Sequence, residues 1–211
     1  MNFEKSIAQK LLQIKAIKLS PQNPFTWASG MRSPIYCDNR VTLSHPEIRS
    51  EIKEGFSELA NTFETYDAIS GVATAGIAHG ALLADYIGLP FSYVRSSAKA
   101  HGRQNQIEGE IQPGSKILVV EDLISTGGSS VQAVKVLQEA GHEVVGVMAI
   151  FTYQFQLATD NFAKVSTPFG TISNYAAMLA EAKELSYITA EEEKVLKSWS
   201  NDPEAWYANN F

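Results

Sequence analysis

The chain opens on apolar residues at Phe3, Ile7, Leu11 and Ile14, a helical stripe that runs from Asn2, in N-cap position, to about Lys18. A Pro- and aromatic-rich stretch, residues 21–39, breaks that period and leaves short extended pieces at 25–27 and 35–37. Ser44 and Glu47 have capping-box spacing ahead of a second helical stripe, Ile48, Ile52, Phe56 and Leu59. From Tyr66 the pattern changes to short apolar runs at 68–72, 91–94, 116–120 and 144–151, which read as strands. Between them lie a helix through about Gly88, a polar loop over 96–114, a loop over 121–128 and a helix over 129–140. The tail predicts one helix near 175–185 and another whose start is marked by Thr189 and Glu192. Strand–helix–strand repeated in this way predicts an α/β fold: a doubly wound, mainly parallel sheet with helices on both faces. Ligands of such sheets gather at the C-terminal ends of the strands.

The 211 residues suit one domain over 1–211, and 45% hydrophobic content is enough for a buried core. The longest apolar run, 144–151, is far short of the ~20 residues of a membrane span, and the start MNFEKSIAQK has no secretory pattern. Cys37 is the only cysteine, so no internal disulfide is expected and a reducing cytoplasm fits. A net charge of −6 disfavours nucleic acid as the main partner, so any phosphorylated ligand needs a local site.

Residues 117–130, ILVVEDLISTGGSS, suggest one. A buried strand delivers Glu121 and Asp122, and the chain then turns through Ser125, Thr126, Gly127 and Gly128 into a helix. Glycines let backbone N–H groups approach a ligand closely, hydroxyls add donors, and the helix start favours an anion. Carboxylates repel phosphate, so the acidic pair suits sugar hydroxyls or a hydrated Mg²⁺. STGG by itself reads equally well as a tight loop, but the ordered combination is more specific. It is neither a Walker loop nor a GxGxxG fingerprint.

This stretch resembles the donor motif of the type I phosphoribosyltransferases. The resemblance implies that Glu121, Asp122, Leu123, Ile124, Ser125, Thr126, Gly127, Gly128 and Ser129 bind 5-phosphoribosyl-1-diphosphate (PRPP), with the loop on its 5-phosphate and the acids on its ribose hydroxyls. Further signals narrow the likeness. No Asp or Glu occurs between Tyr86 and Ile107, yet Arg95, Lys99, His101 and Arg103 lie there. On charge alone this is also a solvated basic loop. RSSAKAHG, residues 95–102, resembles the catalytic loop of orotate phosphoribosyltransferases, in which the loop of one subunit of a homodimer covers its neighbour's site. Arg95, Lys99, His101 and Gly102 match that pattern. Ser96 stands where many relatives carry a second Lys, and Arg103 is in line to compensate.

FTWASGMRSPIYCDNR, residues 25–40, resembles the hood of the same family, which implies that 1–40 forms a small N-terminal hood over the base. For orotate, a planar carboxylated ring, Arg32 and Arg40 are the available cations and Tyr36 and Cys37 offer ring contacts and backbone hydrogen bonds, so Tyr36, Cys37, Arg40 and Ser125 are the expected contacts. On composition alone it is a hydrophobic flap. Ala28 replaces a substrate-touching Lys of many relatives, and FTYQFQ, residues 151–156, lacks an Arg often found there. The turn GVATAGIAHG, residues 71–80, matches the family's diphosphate passage, with Ala75 in place of the Lys of some members.

The likeness implies transfer of phosphoribosyl from PRPP to orotate through an oxocarbenium-like transition state. Mg²⁺, carried by PRPP and reaching Glu121 and Asp122 at most through water, would then be the cofactor. Lys99, His101 and Asp122 would be catalytic, with Arg95 on the diphosphate. Three rivals share the donor motif: a purine phosphoribosyltransferase, a PRPP-sensing nucleic-acid-binding regulator, and a nucleotide-binding module without catalysis. The basic loop and hood weigh against the first, the acidic charge against the second, and the third leaves the basic loop without a purpose.

Overall fold

Asn2 does cap the first helix: its side chain accepts a hydrogen bond from the Lys5 amide, opening α1 (Phe3–Gln13). In the computed structural model, which describes residues 2–97 and 106–210, that helix is shorter than its stripe suggests. Lys15 turns the chain at a positive φ of 58°, and β1 (Ile17–Leu19) comes next. It is succeeded by β2 (Phe25–Thr26), β3 (Arg32–Ser33) and β4 (Ile35–Cys37). Strands β2 and β3 form one antiparallel pair, β1 and β4 another. These two pairs are the hood. The α1 stripe does not belong to it, because Ile7 and Leu11 are fully buried in the main core.

A 3-10 segment, Asn39–Ser44, leads into α2 (Pro46–Ala60). The expected Ser44–Glu47 box is absent. Ser44 is taken up by the 3-10 segment, His45 is the N-cap without a side-chain bond, and Pro46 starts the helix with its preset φ. Beyond α2 lie β5 (Ala68–Val72), α3 (Ala75–Ile87), β6 (Phe91–Val94) and β7 (Ile107–Glu108). The last of these lies within the stretch that patterning reads as loop. It pairs antiparallel with β6, and a two-residue strand is too short to show a period.

Strand β8 (Lys116–Ile124) is longer than the apolar run 116–120. Its ladder with the later strand continues through Glu121 opposite Ala149 and Ile124 opposite Thr152, so the acidic pair sits on the strand and not in a loop. After it come α4 (Gly128–Glu139), β9 (Glu143–Thr152), α5 (Gln156–Ala163), β10 (Phe169–Asn174), α6 (Tyr175–Glu184), α7 (Ala190–Asn201) and α8 (Trp206–Asn210). The capping box at Thr189 and Glu192 is present in both directions, at 3.2 and 2.9 Å.

The main sheet has the order β10-β9-β8-β5-β6-β7 and is parallel except for β7. Residues of α1, α2, α3 and α6 fill the core on one face, and those of α4 and α5 fill the other. The chain proceeds outward from β5 to β6, then returns to β8 and proceeds the other way. The topological switch therefore lies between β5 and β8, where such sheets leave a crevice. Gly76 seals the helix–sheet contact beside it, since a Cβ there would collide with the Val120 carbonyl. Among the described residues no helix is long and apolar enough to cross a membrane.

Candidate active site

Residues 117–120 of β8 are fully buried between β5 and β9, so the strand holds its acid-bearing end and the turn beyond it at a fixed place. The turn ends at Gly127, whose φ of +77° is left-handed and which caps α4. A Cβ on Gly127 would lie 2.9 Å from the Phe162 ring, whereas one on Gly128 would have only the Thr126 hydroxyl within reach, at 3.9 Å. The loop is thus pinned beneath and open above. Asn161 holds it from α5, donating to the Thr126 carbonyl at 3.0 Å. The first intrahelical bond runs from the Val131 amide to the Gly127 carbonyl, and the amides before it, at the positive end of the helix dipole, suit an anion. Gly128 and Ser129 are exposed, Ser125 and Thr126 half-buried.

The acidic residues are not equivalent. Glu121 is 5% exposed and turned onto the start of α4. Its Oε2 accepts from the hydroxyls of Ser129 (3.1 Å) and Ser130 (3.4 Å), and its Oε1 from the Asp122 amide (3.0 Å). Burial, and then the neighbouring Asp122, push its pKa well up. Burial also raises Asp122, while the bond to Glu121 and the charge of Arg40 pull it back. Asp122 is half-buried. The geometry makes Glu121 a brace of the turn into α4 and leaves Asp122 as the acid better suited to a ligand.

The hood approaches the same strand end. Asn39 donates from Nδ2 to the Asp122 carbonyl at 2.7 Å and accepts from the Cys37 thiol at 3.4 Å. Burial, with Asp122 and Asp38 nearby, holds the thiol well above its ordinary pKa, so it stays protonated. Arg40 is gripped by Asp38 through two bonds, 2.6 and 2.8 Å, and feels the charge of Asp122. Tyr36 is 37% exposed, its ring 5.8 Å from that of Phe25. Tyr36, Cys37 and Arg40 therefore come together near Asp122.

Residues the patterning missed hold the hood to the sheet. Tyr153, just beyond β9, is 2% exposed. Its ring lies 5.1 Å from Trp27 of the hood and 5.7 Å from Trp199 of α7. Burial raises its pKa most, and Cys37, Tyr175, Asp122 and Tyr36 add to the shift. Trp27 also donates from Nε1 to the Ile35 carbonyl at 3.0 Å, and Arg32 lies over the Tyr207 ring at 4.6 Å. The alternation Phe151, Tyr153, Phe155 was a readable signal of an aromatic face.

At the other edge, β5 leads through Gly71 and a cis Ala73–Thr74 peptide into α3. The Arg95 amide donates to the Gln106 carbonyl at 2.8 Å, and its Nη1 lies 3.6 Å from Glu108, so it anchors the base of the basic segment. Ser96 is exposed. Lys99, His101, Gly102 and Arg103 lie outside the described residues.

Comparison with known proteins agrees with this geometry. Residues 42–166 match the family model for the phosphoribosyl transferase domain, which defines the class. Over 209 residues the chain is 51% identical to the orotate phosphoribosyltransferase of Lactococcus lactis subsp. cremoris (strain MG1363), spanning 99% of this chain and 100% of that one. Among solved structures, orotate phosphoribosyltransferase from Aeropyrum pernix superposes with a TM-score of 0.75 at 26% identity, over 87% of this chain and 99% of that one. Leishmania donovani UMP synthase gives 0.81 at 25% identity, over 94% of this chain and 42% of that one. The chain belongs to the orotate phosphoribosyltransferase family.

Proposed function

We propose that the protein transfers the 5-phosphoribosyl group from PRPP to orotate, giving orotidine 5′-monophosphate and diphosphate on the route to UMP. The observation that carries this reading is the left-handed Gly127 opening α4 three residues beyond the acid-bearing end of β8, at the switch point of the sheet. The 5-phosphate sits on the amides from Ser125 to Ser129 and on the hydroxyls of Ser125 and Thr126. Asp122 takes the ribose hydroxyls and answers the positive charge that grows on the sugar, while Glu121 keeps the loop in shape through Ser129 and Ser130. Tyr36, Cys37, Arg40 and Ser125 border the base. No side-chain nucleophile is needed.

Bound together with PRPP, Mg²⁺ would supply charge neutralisation to the leaving diphosphate, and Asp122 would hold it through water. The donor set fits such an ion: Glu121 is already bonded through both oxygens, and Asp122 offers a half-buried carboxylate suited to a hydration shell. Arg95, Lys99 and His101 act on the diphosphate, from a segment that reaches the neighbouring subunit's site in a homodimer working in the cytoplasm. Lys99→Ala and Asp122→Asn homodimers are then each nearly inactive, and mixing the two restores part of the activity; stable mixed dimers that recover none overturn the shared site.

Purified protein incubated with PRPP, Mg²⁺ and orotate, hypoxanthine or adenine in turn tests the whole reading. Orotate consumption with equimolar diphosphate release is expected. Turnover of a purine and not of orotate overturns it.

A further inference from the structure

Asn39 lies at the junction between the hood and the sheet and is fully buried. Every polar atom of its side chain is engaged: Nδ2 with the Asp122 carbonyl at 2.7 Å, Oδ1 with the Cys37 thiol at 3.4 Å. Its own carbonyl accepts from the Thr42 hydroxyl at 2.6 Å. That hydroxyl has one proton, and it is committed to Asn39, so the contact at 3.3 Å from Thr42 Oγ1 to His79 must use the His79 Nε2–H as donor. The result is a continuous buried chain from His79 on α3, through Thr42 and Asn39, to Asp122 on β8 and Cys37 at the end of β4. It joins the helix behind the diphosphate turn, the strand that carries the ribose acid and the segment that borders the base.

We propose that Asn39 is a positioning residue that sets the acceptor hood in register with the Asp122 strand end, so that base and ribose meet at reacting distance. The inference rests on the transferase reading above. An amide is suited to this task because it donates to one wall and accepts from the other, and a buried group left unpaired on either side would shift the backbone to find a partner. Asn39 touches neither substrate. Its loss therefore acts on alignment, where a displacement of about 1 Å is worth as much as a hundredfold in rate.

The test compares wild type with Asn39→Ala and Thr42→Val. The readouts are kcat, KM for each substrate, PRPP affinity by calorimetry without acceptor, and melting temperature. Folded Asn39→Ala should lose about ten- to hundredfold in kcat with PRPP affinity within about threefold of wild type. Thr42→Val keeps the shape of the side chain and cuts only the bonds to Asn39 and His79, so it should lose less in kcat, and it carries the test if Asn39→Ala does not fold. A lower melting temperature with unchanged kcat in the folded variants would make Asn39 merely structural and overturn the inference. So would a fall in PRPP affinity as large as the fall in kcat. If wild type itself fails to convert orotate, the functional reading falls instead.

Discussion

The two sides of the crevice, to which the proposed function assigns donor and acceptor, are built in opposite ways. The donor side is one continuous segment in which a fully buried strand, held by ladders on both edges, runs into a glycine turn and a helix, and much of its chemistry belongs to the backbone. The acceptor side hangs on strands of two or three residues. It is held by side chains from remote parts of the chain: Trp27 against Tyr153 and Trp199, and Arg32 against Tyr207. The phosphoribosyl transferase domain match, 42–166, contains the whole donor loop but neither the hood strands nor α7. A sugar phosphate can be gripped by a local backbone motif, whereas an apolar wall for a planar base has to be assembled from tertiary packing.

The sharpest way to break that contrast is to remove its remote support. Trp199 is fully buried among Trp27, Tyr153, Phe155 and Tyr175, with ring centroids 5.4 to 5.8 Å away. Trp199→Ala should cost about 3–5 kcal/mol of stability, read by chemical denaturation. In the folded protein it should raise KM for orotate while PRPP affinity holds. Equal damage to both substrates would mean that the two sides are not separately supported.

On the donor side, Asp122→Asn should lower kcat by about 10²–10³-fold, because it removes the charge that answers the developing cation while keeping the side chain's size. Steady-state kinetics at saturating substrates gives the number, and a loss below about threefold would take Asp122 out of the chemistry. Stability should hold or rise, since burial makes the charge that the substitution removes costly in the folded state.

The seam between the sides has a titration of its own. Burial, helped by Arg49, lowers His79 to about 4 from its ordinary 6.5. Between those values the unfolded chain binds a proton that the folded chain refuses, so this group's contribution to stability rises with pH through that window and is level above it. The whole swing is about 3 kcal/mol. Denaturation at pH 5 and 7 should show wild type losing about 2 kcal/mol more than His79→Gln; equal losses would mean that His79 protonates without penalty.

How much was legible divides along the same line. The donor loop could be read because its residues are consecutive and each type has a local reason to be there. The separate tasks of its two acids could not, because Glu121 is distinguished only by the Ser129 and Ser130 hydroxyls that the fold turns onto it. In the hood, the chemistry of the segment points to Tyr36, Cys37 and Arg40, and the structure puts all three beside one another at the end of β8. Asn39 and Trp199 carry no such signal, since the Asp122 carbonyl and the aromatic rings they meet lie in other elements, whereas Tyr153 is marked only by its alternation with Phe151 and Phe155. Local signals were also uneven: Thr189 and Glu192 form their capping box, whereas Ser44 and Glu47 do not, because Pro46 preempts the helix start.

The smallest effect separates stability from binding within the donor loop itself. Gly127 has a left-handed φ and the Phe162 ring 2.9 Å from where a Cβ would sit, so Gly127→Ala meets both backbone strain and a clash. It should cost about 1–3 kcal/mol, with PRPP affinity falling as the turn shifts. Gly128, one residue on, has ordinary helical geometry and open space in front of it. Gly128→Ala should therefore leave stability unchanged or raise it by up to about 1 kcal/mol, as alanine is the better helix former. Its methyl group would nevertheless stand where the 5-phosphate has to approach the amides. Weaker PRPP binding in a protein that melts no lower than wild type is the expected signature, and calorimetry beside thermal denaturation reads both. Full PRPP affinity in Gly128→Ala would mean that the phosphate does not rest on this part of the loop.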